Sequence, residues 1–133
     1  SVLDMGCGQG FVTRDLPGMH VTGVDVSAAA VAHAARLRSE RLEFQVANIF
    51  TLPQDLGSRQ FDLIIVTGVL YEQYIGRART LVYLSVDRVL APGGILISVH
   101  IDEWYTARFP YTLIAQQAYP YRQYHHRLEV YRK

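Results

Sequence analysis

The chain has 133 residues, of which 50% are hydrophobic, and its 13 basic and 12 acidic side chains leave a formal net charge of +1. This length and composition indicate one globular domain with its own core, and the small net charge argues against a nucleic-acid binder driven by bulk charge. No apolar run approaches the roughly 18 residues of a membrane span, and we expect no signal peptide. The single cysteine, Cys7, excludes an internal disulfide and a cysteine metal cluster and fits a reducing compartment, so we expect a cytoplasmic protein.

Strand-like and helix-like stretches alternate from the first residue. Pro17 and Gly18 end the first helical stretch, and Ser27 is a good N-cap for the alanine-rich helix that follows the second strand. In chain order the predicted elements are the strand Val2–Met5, the helix Phe11–Leu16, the strand His20–Asp25, the helix Ala28–Arg38 and the strand Leu42–Val46.

The alternation continues through the middle of the chain. A third helix is predicted because Ile75, Ala78, Val82 and Val86 follow helical spacing. In order we expect a loop with up to one helical turn at 52–57, the strand Phe61–Thr67, the helix Arg77–Leu90, a turn at 92–94 and the strand Ile95–Ile101. Such alternation predicts an α/β fold of the Rossmann-like, doubly wound kind, with a mostly parallel sheet and helices on both faces.

The C-terminal segment has a different pattern. Tyr111–Tyr119 and Tyr124–Arg132 are rich in aromatic and β-branched residues and predict a closing antiparallel hairpin, although a helix over Thr112–Ala118 is an alternative. His125 and His126 are neighbours on a strand and point to opposite faces, so they cannot chelate one metal together. The basic residues of this segment alternate with tyrosines, as in a nucleic-acid patch, but on an edge hairpin they favour solubility and protection against edge pairing; they are Arg122, Arg127, Arg132 and Lys133.

The stretch "VLDMGCGQG" at 2–10 carries the strongest functional signal. Its glycines have the spacing D-x-G-x-G-x-G. A dinucleotide fingerprint needs a third glycine where this chain has Phe11, and a P-loop needs Lys followed by Ser or Thr after its last glycine. The turn therefore predicts a close backbone approach to a ligand without a dedicated phosphate cradle.

The turn resembles motif I of the class I S-adenosylmethionine-dependent methyltransferases, and the resemblance continues in order along almost the whole chain. "VANIFTLP" resembles the segment that binds the adenine amino group, with Asn48 where the family has an acidic residue; its amide carbonyl can still accept a hydrogen bond. "FDLIIVTGVLYE" resembles motif IV, and "LAPGGILISVHI" resembles the segment that ends in the fifth strand. The resemblance implies a sheet ordered 3-2-1-4-5-7-6, with six strands parallel and the last antiparallel.

The family resemblance implies a cofactor site at the carboxyl ends of the strands. Asp25, which ends the second strand, is expected to accept hydrogen bonds from both ribose hydroxyls, and the thiol of Cys7 is expected to be passive. The implied cofactor is S-adenosylmethionine. Its expected contacts are Asp4, Gly6, Cys7, Gly8, Gly10, Asp25, Val26, Asn48, Ile49, Thr67 and Gly68.

Other strand-end residues are left to meet a methyl acceptor. Tyr71 and Tyr105 are the predicted substrate contacts, and Glu72, His100 and Asp102 are candidates to hold or deprotonate an amine or hydroxyl. The sequence does not rank these three, and His100 is equally well explained as a strand-end residue satisfied by the backbone. No metal site is predicted.

The resemblance implies an enzyme that methylates an N or O atom of a small molecule. "VLYE" and "YPYRQYHHRLEVYRK" are similar to the nodulation-protein-S-like methyltransferases, whose members include an N-methylating enzyme that acts on a chitooligosaccharide, so an amino sugar is one candidate acceptor. The alternatives are a non-catalytic cofactor-binding or interaction module of the same fold and an RNA methyltransferase, although nucleic acid is the less favoured partner. We expect residues 1–133 to form one such domain that lacks the N-terminal helices of the family; the oligomeric state is not predicted.

Overall fold

A computed structural model describes residues 1–133. Its core is a seven-stranded sheet in the order β3-β2-β1-β4-β5-β7-β6. The strands are β1 Val2–Met5, β2 Val21–Asp25, β3 Leu42–Val46, β4 Phe61–Thr67, β5 Leu90–Ile101, β6 Thr112–Tyr121 and β7 Tyr124–Arg132. The helices are α1 Ala28–Ala34, α2 Leu52–Leu56, α3 Glu72–Ile75 and α4 Arg79–Val89.

The sheet confirms the predicted fold class and strand order. Strands β1 to β5 pair in parallel, and β7 runs antiparallel to both β5 and β6. The C-terminal hairpin is therefore confirmed, and the alternative helix over Thr112–Ala118 is wrong. Because β7 lies between β5 and β6, the exposed edge of the sheet on this side is β6.

Two apolar cores lie on the two faces of the sheet. The larger has 21 buried residues and joins one face to α2, α3 and α4, with Leu3, Ile64 and Leu96 at its centre. The smaller has eight buried residues and includes Val31 and Ala34 of α1. Adjacent residues Ile64 and Ile65 belong to different cores, as expected for a strand whose side chains alternate between faces. Helices on both faces make the sheet doubly wound.

Several predicted element boundaries are wrong. The predicted helix Phe11–Leu16 is only a three-residue 3-10 turn at Thr13–Asp15, since Pro17 and Gly18 leave no room for a second turn. Helix α1 ends at Ala34 and continues as a 3-10 turn over Ala35–Leu37, so it is shorter than the predicted Ala28–Arg38.

The predicted helix Arg77–Leu90 is present as α4, which is slightly shorter because it begins at Arg79 and ends at Val89. A separate short helix, α3, precedes it and was not predicted. Gly76, at φ +53°, ends α3. The predicted turn at 92–94 lies inside β5 as an irregularity, because Phe61 pairs with Leu90 and Leu63 pairs with Ile95. The longest helix, α4, has 11 residues, and none is long and apolar enough to cross a bilayer.

Candidate functional site

The turn after β1 is packed against the protein itself. Gly6 has φ +85°, and a Cβ at this position would lie 2.4 Å from Cγ1 of Val69, in the segment after β4. The Gly6 amide donates to the Val24 carbonyl oxygen at 2.8 Å. Gly6 therefore lets the end of β1 contact the segment that follows β4, a neighbouring strand of the sheet.

The third glycine of the turn is also required by packing. A Cβ on Gly10, at φ +80°, would lie 2.8 Å from the Phe44 ring and 3.2 Å from Cβ of Ala34. At Gly8, in contrast, a Cβ would meet nothing within 4 Å. Gly6 and Gly10 are thus required by close contacts within the chain, whereas at Gly8 an added Cβ would touch no other atom.

The carboxylate of Asp25 is held by two backbone donors at the end of β2. The amide of Gly8 donates to Oδ2 and the amide of Ser27 donates to Oδ1, each at 2.9 Å. Ser27 is the N-cap of α1, as predicted, and its hydroxyl oxygen accepts from the Ala30 amide at 3.2 Å. The carboxylate is fixed in orientation, and its remaining lone pairs can accept hydrogen bonds from a ligand.

A cavity of about 400 Å³ opens beside this carboxylate. We call it the first cavity. Six of its lining residues were predicted from the sequence as cofactor contacts: Gly6, Asp25, Val26, Asn48, Ile49 and Gly68. Three were not: Phe50, Val69 and Tyr74. These three are apolar or aromatic residues in loops or on a short helix, where the sequence offers no periodic signal, although Phe50 and Val69 directly follow predicted contacts.

Asn48 is placed at the cavity by hydrogen bonds to its own loop and to α2. Its amide donates to Oδ2 of Asp55 at 2.9 Å, and its side-chain oxygen accepts from the Phe50 amide at 3.0 Å. The oxygen retains a second lone pair, and the side-chain NH₂ group has no partner in the protein. Asn48 can therefore both accept from and donate to a ligand.

Five predicted cofactor contacts do not line the first cavity: Asp4, Cys7, Gly8, Gly10 and Thr67. Asp4 is buried, and its Oδ2 accepts a 2.6 Å hydrogen bond from the Thr13 hydroxyl. Burial raises the pKa of Asp4, and the Thr13 hydrogen bond opposes that shift. Burial, followed by the charges of Asp4 and Asp25, raises the pKa of Cys7 to about 12, so the thiol is neutral at physiological pH.

A second cavity, of about 490 Å³, lies beside the first. It is lined by Leu70, Glu72, Ile75, Gly76, Arg77, Arg79, Trp104, Tyr105 and Thr106. Glu72 and Tyr105 are predicted acceptor-site residues, whereas the sequence reasoning missed the two arginines. The segment 68–75 contributes to both cavities: Gly68, Val69 and Tyr74 line the first, and Leu70, Glu72 and Ile75 line the second.

Tyr71 lies in the middle of this shared segment and is buried. Its hydroxyl oxygen accepts a 2.9 Å hydrogen bond from the Ile101 amide. The ring meets Trp104 edge to face, at a centroid distance of 5.4 Å. Tyr71 therefore anchors the shared segment to the end of β5. Its side chain lines neither cavity, so it can shape them only through the position of this segment.

His100 is buried under aromatic rings. Only 1% of its surface is exposed, and its ring centroid lies 5.6 Å from that of Tyr71 and 4.6 Å from that of Tyr105. Nδ1 is 2.9 Å from the Ser98 hydroxyl, while Nε2 is buried without a partner. Burial, helped by the charge of Arg127, lowers the pKa of His100 to about 3. The imidazole is therefore neutral and lines neither cavity.

Asp102 is engaged in a charge cluster at the end of β5. Its Oδ1 accepts a hydrogen bond from the guanidinium of Arg127, which also lies 3.0 Å from Oε1 of the buried Glu129 and donates to the Tyr105 carbonyl oxygen at 2.8 Å. The interpretation of the C-terminal basic residues as edge charges is wrong for Arg127, because β7 is an interior strand. It is also wrong for Lys133, whose ammonium donates to the Leu90 carbonyl oxygen at 2.9 Å.

Comparison with known proteins relates the sequence of this chain to methyltransferases. A family model described as a methyltransferase domain matches residues 1–128. The chain is 37% identical over 99 residues to trans-aconitate 2-methyltransferase of Paracidovorax citrulli, covering 71% of this chain and 36% of that protein. It is 34% identical over 97 residues to the probable tRNA methyltransferase 9B of Bos taurus, covering 72% of this chain and 20% of that protein.

A solved structure aligns over nearly the whole chain. The N-methyltransferase NodS of Bradyrhizobium japonicum, in complex with S-adenosyl-L-homocysteine, superimposes with a TM-score of 0.80 at 22% identity, over 98% of this chain and 76% of that one. This likeness concerns the fold. The chain spans only about a third or less of the length of the curated relatives that it matches.

Proposed function

We propose that this chain, which belongs to the class I S-adenosylmethionine-dependent methyltransferase family, transfers a methyl group from that cofactor to an N or O atom of a small molecule. One observation carries the proposal: the first cavity opens at the end of β2 beside a carboxylate that two backbone amides hold in place. Ligands of open parallel sheets bind at such strand ends.

The residues of the first cavity fit the cofactor. Asp25 retains lone pairs for the two ribose hydroxyls, and Asn48 offers both an acceptor and donors for the edge of the adenine ring. Val26, Ile49 and Phe50 supply apolar surface for the flat base. A Cβ at Gly6 would collide with Val69, which lines the same cavity, so only glycine fits at this position.

The bound cofactor supplies a methyl group activated by a sulfonium. The chain contributes alignment, since an in-line transfer depends on how the acceptor is positioned, and it takes a proton where the acceptor is a protonated amine or a hydroxyl. Glu72 is our candidate for that proton, because it lines the second cavity. His100 is buried with a strongly lowered pKa, and Asp102 is bonded to Arg127.

The second cavity is the proposed acceptor site. It shares the segment 68–75 with the cofactor cavity and contains both Glu72 and Tyr105. An amino sugar or oligosaccharide is one acceptor to test, because NodS is an N-methyltransferase of the same fold. An RNA acceptor is the second candidate, since the chain is also related to a probable tRNA methyltransferase.

Two measurements test the proposal. Calorimetric titration with S-adenosylmethionine, S-adenosylhomocysteine, NAD and ATP should give tight binding of the first two ligands only; tight NAD binding would contradict the assignment of the first cavity. Incubation with labelled S-adenosylmethionine and panels of amines, sugars, carboxylic acids and tRNA should label one small-molecule class. Binding without turnover on any panel would favour the non-catalytic module.

A further inference from the structure

The second cavity contains two arginines that the protein itself does not neutralise. Arg77 lies in the link between α3 and α4, and Arg79 is the first residue of α4. Neither takes part in any ion pair of the structure. Six other arginines bond to carboxylates, carbonyls or polar side chains of the protein: Arg14, Arg38, Arg41, Arg59, Arg108 and Arg127.

The charges around this cavity favour an anion. Two guanidinium groups and the carboxylate of Glu72 give a formal charge of +1 (2 − 1). Helix α4 begins at the same place with Ala78 as its N-cap, without a side-chain cap or an acidic residue in its first turn, so its partial positive end is also uncompensated. The charge of Arg79 reaches the Tyr105 hydroxyl, where it opposes the rise in pKa that burial causes.

An aromatic side chain lines the same cavity as the two arginines. Trp104 is 47% exposed, and the rings of Tyr71 and Tyr124 contact it at centroid distances of 5.4 and 5.0 Å. A tryptophan held between two other rings gives an apolar surface of fixed orientation. The cavity thus combines two free guanidinium groups with an aromatic surface, which suits a small organic anion better than a bare inorganic ion.

We infer that the second cavity binds an acceptor carrying a carboxylate, with Arg77 and Arg79 holding the carboxylate and Trp104 contacting the carbon skeleton. This inference rests on the proposed function, since it names the substrate class of the proposed acceptor site. Guanidinium groups match carboxylate geometry with paired hydrogen bonds. Because the cavities share the segment 68–75, a molecule anchored in this way lies next to the cofactor cavity.

The single tryptophan of the chain provides a direct reporter. Citrate, inorganic phosphate and glucose would each be titrated into the chain at constant ionic strength, with tryptophan fluorescence and calorimetry as readouts. We expect citrate to give a saturable fluorescence change, phosphate to bind at least tenfold more weakly, and glucose to give none. Arg77→Gln and Arg79→Gln should each weaken citrate binding roughly tenfold, the loss expected for a hydrogen bond between charged groups.

Arg88→Gln is the matched control. Arg88 lies at the other end of α4, lines a different surface depression and forms no ion pair. It should leave citrate affinity unchanged. No citrate signal in the unaltered chain, equal weakening by Arg88→Gln, or phosphate binding as tight as citrate binding would each overturn the inference. Thermal melting of the three variants should coincide, because none of the three side chains has a partner to lose.

Binding of S-adenosylhomocysteine separates this inference from the proposed function. Neither arginine lines the first cavity, so both glutamine variants should bind S-adenosylhomocysteine as the unaltered chain does. If citrate fails to bind while S-adenosylhomocysteine binds, the carboxylate assignment is wrong and the methyltransferase proposal stands. If S-adenosylhomocysteine fails to bind the unaltered chain, the proposed function itself is wrong.

Discussion

The first cavity is lined mainly by apolar side chains, two glycines and one fixed carboxylate, whereas three charged side chains line the second cavity. The first has two glycines at positive φ, Gly6 and Gly68, and a carboxylate fixed by backbone amides. The second has Glu72, Arg77 and Arg79, all exposed, on α3 and at the start of α4. Where glycines are required by packing, as in the first cavity, few substitutions are tolerated. Exposed side chains, as in the second cavity, can be replaced without changing the fold, so the specificity of that cavity can vary.

Of the substitutions considered, Gly6→Ala should therefore cause the largest loss of folding stability. The added Cβ would lie 2.4 Å from Cγ1 of Val69, at a φ of +85°. Backbone strain and overpacking together should lower the free energy of unfolding by about 2–4 kcal/mol, as measured by urea denaturation.

Gly8→Ala is the matched control for this change. Its φ of +52° carries a similar backbone cost, but nothing lies within 4 Å of the added Cβ, so the loss should be only about 1–2 kcal/mol. Adding Val69→Ala to Gly6→Ala should recover part of the difference. Equal destabilisation by the two alanines would mean that Val69 does not set the requirement for glycine.

Asp25→Ala should weaken binding of S-adenosylhomocysteine by about 1.5–3 kcal/mol, the range of hydrogen bonds to a charged group. From its position at a strand end alone, the fold would be expected to stay unchanged. The structure adds that the Gly8 and Ser27 amides lose their acceptor, so the melting temperature should also fall.

Calorimetry and thermal melting would measure both effects of Asp25→Ala. Asp15→Ala is the control, because that exposed carboxylate bonds only to its neighbour Arg14. An unchanged affinity in Asp25→Ala would show that the ribose contact is assigned to the wrong residue.

His100, which packs against Tyr105 of the second cavity, should make the chain sensitive to acid. Its pKa is lowered to about 3 in the folded state, whereas an unfolded histidine titrates near 6.5. Between these two pH values the unfolded state binds a proton that the folded state does not. The contribution of His100 to the free energy of unfolding is therefore complete above about pH 6.5 and is lost as the pH falls toward 3. The loss between pH 7 and pH 5 should be about 2 kcal/mol.

His100→Gln would test this contribution, because glutamine does not titrate. Urea denaturation at pH 7, 6 and 5 should show a shallower pH dependence for the variant, whatever its stability at pH 7. His20→Gln is the control, since His20 is exposed. Parallel pH profiles for the unaltered chain and His100→Gln would show that burial does not lower the pKa of this histidine below its unfolded value.

Substitution of Asn48 should have the smallest effect on cofactor affinity. Asn48→Ala removes one neutral hydrogen-bonding group from the first cavity and should weaken S-adenosylhomocysteine binding by about 0.5–1.5 kcal/mol. Asn48→Asp restores the acidic residue of the family and should bind at least as tightly as the unaltered chain. If Asn48→Ala changed nothing while Asn48→Asp still bound normally, position 48 would have no role in adenine recognition.

The fold could be predicted largely from the sequence because its elements are locally encoded. Apolar runs of strand length, the Ser27 cap and the C-terminal segment rich in aromatic and β-branched residues each carry their own signal, and the observed structure confirms them. The errors occurred where tertiary contacts override local preference. Residues 72–78 form a separate α3 and a link, and residues 91–94 remain inside β5 because β4 pairs with the residues on both sides.

The sequence by itself determined the first cavity to the extent that its residues follow strand ends and glycines. Asp25, Asn48 and Gly6 could be named because each lies in a stretch that resembles a motif of the family and ends or follows a predicted strand. Only the tertiary structure decided that Asp4 is bonded to Thr13 and that Val69, 63 positions along the chain, is the reason for Gly6 (69 − 6). It alone also placed Arg77 and Arg79 in one cavity with Trp104, because contacts between side chains of distant segments depend on how the elements pack and leave no periodic trace in the sequence.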